Sequence, residues 1–166
     1  MPMLRRARVA DHAALVECVH RWWDGGSTPA GSRHPVPALP RLFLQSFSGT
    51  SLVAEDGTGI KAFLVGLHSA DNDEHAYIHY VGVEPALRGR GLARGLYAAF
   101  FDRAAEAGRR EVRAATSHRN AGSIAFHQAL GFTLDSSEAE WDGLPVHRDY
   151  DGPGQHRVCF RKAIPV

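Results

Sequence analysis

A glycine-rich turn carrying several arginines offers the clearest chemistry in the chain. It follows an apolar, strand-like run that ends at Val83, and it opens a helical pattern with Arg88, Gly89, Arg90, Gly91, Leu92, Ala93 and Arg94. Small residues let a backbone approach a ligand closely, and the unpaired N–H groups of a first helical turn carry the positive end of the helix dipole. The turn therefore predicts a pyrophosphate site, or else a helix start that binds no ligand.

A second motif downstream has a polar start, a helical period and a glycine stop. Its residues are Asn120, Ser123, Ile124, Phe126, His127, Leu130, Gly131 and Phe132. Together and in this order, the two motifs resemble those of the GNAT superfamily of N-acetyltransferases. When the surrounding elements are counted, the resemblance extends from roughly residue 4 to residue 162.

The resemblance implies a site for acetyl-coenzyme A. In the superfamily the Arg/Gln-x-x-Gly-x-Gly/Ala loop holds the pyrophosphate, the Asn-to-Leu-Gly-Phe helix lies along the pantetheine arm, and the strand before the loop pairs with the pantetheine amides. At matching positions, the implied coenzyme contacts are Val81, Gly82, Val83, Arg88, Gly89, Arg90, Gly91, Leu92, Ala93, Arg94, Asn120, Ser123 and Phe126. Gly82 would allow close approach to the ligand, or would relieve crowding against a helix.

The resemblance also implies direct attack of an amine on the thioester, with three candidates for proton transfer. His127 stands where many members carry a tyrosine that protonates the leaving sulfur. An imidazole can donate a proton there, or it can be a buried side chain bonded to backbone. Residues 114–118, at the end of the strand before Asn120, include no carboxylate, so the base of some members cannot be transferred to this chain. His79 is the preferred base because of its ordinary pKa, and Glu84 follows at the strand end.

The acceptor pocket is expected beside the first helix and on one strand face. Trp22, Trp23 and Asp24 lie where the superfamily's first helix and following loop form a pocket wall. Adjacent helical residues face different ways, so one tryptophan is expected in the core. Tyr77 lies two residues before His79 and on the same face of its strand, so it is also expected to line the pocket. A set of acids that could attract a cationic amine, or form a solvated rim, comprises Asp24, Glu138, Glu140, Asp142, Asp149 and Asp151.

Length, charge and cysteines narrow the class of protein. A chain of 166 residues with a net charge of +1 predicts one domain, residues 1–166, without the basic face of a nucleic-acid binder. No stretch approaches the length of a membrane span, and the separated Cys18 and Cys159 fit a reducing compartment. A cytoplasmic protein with no membrane partner is expected. No metal site is expected either, because His68, His75 and the nearby acids lack a ligand framework.

The elements that must position these residues follow from periodicity and turn signals. Strands are predicted at 4–8, 51–55, 60–67, 75–83, 111–116, 131–135 and 156–162. Helices are predicted after Asp11 as far as Trp22, and at 39–47, 89–107 and 120–130, with loops at 25–40 and 136–155. The order predicts an α/β fold with helices on both faces of a sheet. The resemblance implies a mixed, mostly antiparallel, splayed sheet of six to seven strands flanked by about four helices.

The chain is therefore interpreted as an acyltransferase, an acetyl-CoA-dependent N-acetyltransferase acting on a primary amine of a small molecule. Two alternatives stay open. One is acetylation of a protein N-terminus or lysine. The other is a non-catalytic coenzyme A-binding sensor, which the missing tyrosine and carboxylate favour. A serine hydrolase is set aside because the chain has no Gly-x-Ser-x-Gly elbow. The acceptor, the acyl-chain preference and the oligomeric state are undecided, although dimers are common in the superfamily.

Overall fold

The helices occur in the predicted order, and their first and last residues differ slightly from the predicted ones. The computed structural model describes residues 1–24 and 38–165. The helices are α1 (His12–Asp24), α2 (Arg41–Phe47), α3 (Leu92–Glu106) and α4 (Ala121–Ala129), with 3₁₀ turns at Val9–Asp11, Ser48–Thr50 and Pro85–Leu87. None of the helices in these described ranges is long and apolar enough to cross a membrane.

The strands form one large sheet and one small hairpin. They are β1 (Met3–Arg6), β2 (Leu52–Asp56), β3 (Gly59–His68), β4 (His75–Val83), β5 (Glu111–Ser117), β6 (Thr133–Leu134), β7 (Ala139–Trp141), β8 (Leu144–Val146) and β9 (Arg157–Ala163). The large sheet has the order β1-β2-β3-β4-β5-β9-β6, and β7 pairs with β8. The pairs β1–β2, β2–β3, β5–β9 and β6–β9 are antiparallel, whereas β4–β5 is parallel. The predicted mixed, mostly antiparallel sheet of six to seven strands with about four helices is confirmed, since the described residues form a sheet of seven strands and four α-helices.

The chain divides into two compact units. The first comprises Met1–Leu67 and Tyr80–Arg103, and the second comprises His68–His79 and Ala104–Val166. β4 runs through both, since its first five residues belong to the second unit and its last four to the first. The single domain expected from chain length stays a prediction.

The first unit has its core between α1, α2 and the strands. Leu15, Cys18, Val19 and Trp22 are buried on one face of α1, as the helical period predicts, whereas Ala14 of the same expected face is exposed. The Asp11 carboxylate stabilises the 3₁₀ turn that precedes α1. It accepts hydrogen bonds from the Arg8 backbone N–H at 2.7 Å and from the Arg5 guanidinium at 2.9 Å. The predicted loop at 25–40 falls outside the described residues as far as residue 37.

The second unit is built on a seven-residue antiparallel ladder between β5 and β9, from the pair Glu111–Ala163 to the pair Ser117–Arg157. Val112, Val158 and Phe160 are fully buried on this ladder. The helix before β5 stops where predicted, because Gly108 takes a left-handed conformation with a φ of 80°.

Two predicted elements differ from the structure. The helix expected from Gly89 begins at Leu92, because Gly89 and Gly91 have positive φ angles that a helix does not allow. The connection at 136–155, predicted as a loop, contains the β7–β8 hairpin. Its turn residues, Asp142 and Gly143, have φ angles of 47° and 79°. An Asp-Gly pair is a known hairpin signal that could have revealed it.

Candidate functional site

The predicted phosphate cradle forms an open turn between β4 and α3. Gly89 and Gly91 have φ angles of 77° and 87°, and a Cβ added to either would meet no atom within 4 Å. Both glycines are exposed, as are Arg88, Arg90 and Arg94. A left-handed backbone with open space beside it, followed by the first turn of a fifteen-residue helix, suits a bound anion. These residues fit a pyrophosphate group.

Arg88 is partly committed to the strand that precedes the cradle. Its Nε donates a hydrogen bond of 3.3 Å to the backbone oxygen of Val83, the last residue of β4. The pairing of β4 with β5 runs only from His75 to Ile78, while β4 itself continues to Val83. Val81 and Val83, predicted to contact the coenzyme, therefore lie beyond this pairing and are half-buried.

Gly82 is packed closely against a side chain of the neighbouring strand. A Cβ at this position would lie 2.5 Å from Cε1 of Phe63, a fully buried ring on β3. The alternative that glycine relieves crowding is therefore supported by the packing. The crowding group is an aromatic ring of a strand and not a helix, which corrects that part of the expectation.

Asn120 begins α4 as its N-cap. Its side-chain oxygen accepts a hydrogen bond of 3.1 Å from the backbone N–H of Ser123, which satisfies one unpaired donor of the first turn. Asn120 is exposed, whereas Ser123 and Phe126 are half-buried. The predicted contacts of these three residues with the pantetheine arm stay predictions.

His127 is buried and bonded to backbone. Its Nδ1 lies 2.7 Å from the backbone oxygen of Ser123, so Nδ1 carries a proton and donates it to this hydrogen bond. Burial lowers the pKa of His127, and the bond to Ser123 only partly opposes this. A neutral ring with its proton already donated is poorly prepared to protonate a leaving thiolate. The geometry favours the packing alternative for His127, and its role in turnover stays a prediction.

The two candidate bases have different surroundings. His79 is exposed; desolvation by the protein atoms beside it lowers its pKa, and the Asp151 carboxylate acts in the opposite direction. Glu84 is held by Lys61, with 3.1 Å between Oε2 and Nζ. His79 therefore keeps the properties of a base that is neutral near pH 7, whereas the Glu84 carboxylate is committed to an ion pair.

Trp22 and Trp23 differ in burial, as predicted, since one lies in the core and the other is more exposed. Trp22 is only 4% exposed and stacks on Phe63, with 5.9 Å between ring centroids. This places Trp22 in the core, and a contact between Trp22 and the acceptor stays a prediction. Trp23 is half-buried and meets Tyr80 edge-on at 5.4 Å. The side chain of Asp24 lies outside the described part of the molecule.

Tyr77 has neighbours that no motif indicated. Burial raises the pKa of Tyr77, and Tyr150 and Asp151 add to that effect. Tyr150 and Asp151 belong to the connection at 147–157, which closes on itself through a pair of backbone bonds between His147 and Arg157 of 2.8 and 3.1 Å. Sequence analysis named Asp151 only as part of an acidic rim. Nothing in its spacing linked it to the strand of Tyr77, since that link depends on the path of a long connection.

No three His, Cys, Asp or Glu side chains of residues 1–24 and 38–165 are grouped so as to hold a metal ion.

Comparison with known proteins decides the family. The model of the acetyltransferase (GNAT) family matches residues 16–132, which is most of the chain. The chain belongs to the GNAT family. The matched range includes the cradle, α3 and the whole Asn120-to-Phe132 motif, so the resemblance expected from those two motifs is confirmed.

Curated relatives of this GNAT protein include enzymes named for amino-acid substrates. L-amino acid N-acyltransferase MnaT of Escherichia coli (strain K12) is 26% identical over 141 residues, which cover 79% of each chain. L-methionine sulfoximine/L-methionine sulfone acetyltransferase of Salmonella typhimurium is 38% identical over 66 residues, covering 40% of this chain and 39% of that protein.

The GNAT fold is also shared with solved structures. An acetyltransferase from Salmonella typhimurium, solved with its cofactor acetyl-CoA, superposes with a TM-score of 0.69 at 20% identity. The match covers 99% of this chain and 94% of that one. It shows that the arrangement of helices and strands is the GNAT fold.

Proposed function

We propose that this GNAT protein is an acetyl-CoA-dependent N-acetyltransferase that acetylates the primary amine of a small molecule of amino-acid size. The observation that carries the proposal is the open turn at Gly89 and Gly91, with its exposed arginines and the α3 N-terminus behind it. The acceptor class is supported by the relatives, two of which are named for L-amino acids or for L-methionine derivatives.

The residues of the first unit would hold the coenzyme's pyrophosphate and the arm next to it. The backbone N–H groups of 89–93 would donate to phosphate oxygens, and Arg90 and Arg94 would supply positive charge. Val81 and Val83 lie beyond the pairing of β4 with β5, so their backbone groups are suited to an extended ligand. The coenzyme, when bound, supplies the acetyl thioester that the amine attacks.

His79 is the proposed base, and residues of α4 are proposed to contact the coenzyme. His79 would accept the proton that the amine loses, directly or through a water molecule, because a neutral imidazole on an exposed strand face can do so near pH 7. Asn120, Ser123 and Phe126, at the start and along one side of α4, would contact the pantetheine arm. Trp23 and Tyr77 would contact the acceptor.

Proton donation to the leaving thiolate is not assigned to His127. A thiol leaves readily near neutral pH, since a free thiol has a pKa of about 8.5. Solvent can therefore supply that proton, and the buried ring of His127 serves the packing of α4.

A cytoplasmic location agrees with two buried cysteines that form no disulfide in the described residues. A homodimer, and the absence of nucleic-acid and membrane partners, belong to the same proposal. Size-exclusion chromatography coupled to light scattering would test the dimer directly.

Calorimetric titration with acetyl-CoA, run beside a thiol-release assay, tests the proposal. The acceptor panel should include L-methionine sulfone, other free amino acids and peptides with unblocked N-termini. Binding with turnover of free amino acids supports the proposal, whereas turnover of peptides alone would favour a protein acetyltransferase. Binding without turnover of any amine would favour the sensor, and failure to bind acetyl-CoA would overturn the cradle.

A further inference from the structure

One residue of the neighbouring strand forms two bonds at the joint between β4 and the phosphate cradle. Lys61 on β3 bonds Glu84 twice. The Glu84 backbone N–H donates to the Lys61 backbone oxygen at 2.9 Å, and the two side chains form an ion pair at 3.1 Å. Lys61 is one of two lysines in the chain.

The Lys61–Glu84 ion pair is better shielded from solvent than the Glu17–Arg21 pair on α1. The Lys61 and Glu84 side chains are 15% and 28% exposed, compared with 59% and 77% for Arg21 and Glu17 on α1. Exposed pairs contribute little because solvent screens them and the long side chains lose entropy. A shielded pair holds its geometry better, and removing one partner leaves the other charge uncompensated.

Glu84 connects the end of β4 to the turn that leads into the cradle. Its backbone oxygen accepts the N–H of Leu87 at 2.8 Å, which closes the 3₁₀ turn that leads to Arg88 and Gly89. Arg88 in turn donates to the oxygen of Val83. Beside this joint, Gly82 packs on Phe63, two residues along β3 from Lys61. The strand end and the start of the cradle are therefore attached to β3 at two adjacent points.

We infer that the Lys61–Glu84 pair is a positioning device that holds the cradle against the end of β4, and that Glu84 is a positioning residue and not the catalytic base. The inference rests on the proposed function of the cradle as the pyrophosphate site. A base must exchange a proton with the acceptor, whereas a carboxylate held by a shielded lysine is needed in its charged form for the pair itself. The inference gives Glu84 a role other than the proton transfer for which the sequence made it a candidate.

The test compares Glu84→Gln, Lys61→Met and the reversed pair Lys61→Glu/Glu84→Lys. Glu17→Gln is the matched control, because it removes the exposed ion pair on α1. Each single variant should weaken acetyl-CoA binding, measured by calorimetry, about tenfold, since small displacements of a positioned site are costly. The reversed pair should recover most of this affinity and also the turnover, and the control should match the wild type.

Amide hydrogen exchange separates this inference from the proposed function, because it needs no coenzyme. Exchange at residues 82–92 should be faster in both single variants than in the control and slower again in the reversed pair. Unchanged exchange and affinity in the single variants would overturn the inference. So would loss of turnover in Glu84→Gln with unchanged affinity and no recovery in the reversed pair, which would make Glu84 the base. If the wild type does not bind acetyl-CoA, the proposed function fails, and the exchange data alone decide whether the joint is held by the pair.

Discussion

The imidazole of His127 lies almost parallel to the phenyl ring of Phe160, with 4.4 Å between ring centroids and 8° between ring planes. Phe132 meets the same imidazole edge-on at 5.2 Å. The ring thus fills an aromatic layer between α4 and β9 of the second unit. A side chain enclosed in this way contributes through its shape and its neutral state, and both contributions can be measured.

His127→Phe should keep the aromatic layer and lose the hydrogen bond to Ser123. The free energy of unfolding should fall by about 1 kcal/mol, and turnover should stay within about threefold of the wild type, whereas loss of a true general acid costs about a hundredfold or more. Urea unfolding and steady-state kinetics measure the two effects. His127→Ala, which leaves a cavity, should cost about 3 kcal/mol. A large loss of turnover with normal stability in His127→Phe would restore the imidazole as the acid.

The same substitution should change the pH dependence of stability. Burial lowers the pKa of His127 in the folded state, so below the unfolded value of about 6.5 the unfolded chain binds more protons. The stability that this residue contributes is present above that pH and is lost as the pH falls through the folded pKa. Wild-type protein should therefore lose more stability between pH 7 and pH 5 than His127→Phe. Equal losses of stability in the two proteins would mean that the pKa of His127 is the same in the folded and unfolded states.

Gly91→Glu should abolish acetyl-CoA binding. The substitution places a carboxylate among the exposed arginines and forces a side chain into a backbone with a φ of 87°, which costs about 1 kcal/mol by itself. Gly49→Glu is the matched control, since it adds the same charge at an exposed glycine where a Cβ meets no atom within 4 Å. Calorimetry should show near-normal affinity for the control. Normal affinity in Gly91→Glu would contradict the cradle assignment.

Gly82→Ala should destabilise the protein because its Cβ would overlap the Phe63 ring. Overpacking of this kind costs about 1–3 kcal/mol. Gly57→Ala, at an exposed turn position with no atom within 4 Å, should change stability by less than about 0.5 kcal/mol. In the double variant with Phe63→Leu, the cost of Gly82→Ala should largely disappear, which a double-mutant cycle in urea measures. A fully additive double variant would show that Phe63 is not the obstacle.

The fold could be predicted from the sequence wherever a single local sequence signal determines the backbone conformation. β4 has the predicted bounds of His75 and Val83 because the period of two runs without interruption, and the stop at Gly108 needed only its left-handed conformation. The β7–β8 hairpin was missed because its strands are only three residues long and one contains Pro145. Its Asp-Gly turn was the one available signal.

The site was less predictable because its decisive features are tertiary. The positions of Gly82 and His127 were singled out, but the ring that crowds Gly82 belongs to another strand, and the ring that stacks on His127 belongs to β9. The commitment of Glu84 to Lys61 joins residues 23 positions apart. No spacing rule covers such a pair, and the same is true of Asp151 and His79.

His79→Ala should remove the acidic limb from the pH profile of kcat/KM and lower the plateau about a hundredfold, if His79 accepts the amine proton. In the wild type the midpoint of that limb should lie below 6.5, because desolvation lowers the pKa of His79. Asp151 acts in the opposite direction, so Asp151→Asn should move the midpoint to still lower pH while Asp73→Asn, at an exposed turn, should leave it in place. The limb is measured by thiol release from pH 5 to 9 with acetyl-CoA near saturation. An unshifted limb in His79→Ala would mean that a water molecule or the substrate's own ionisation, and not this imidazole, sets the pH dependence.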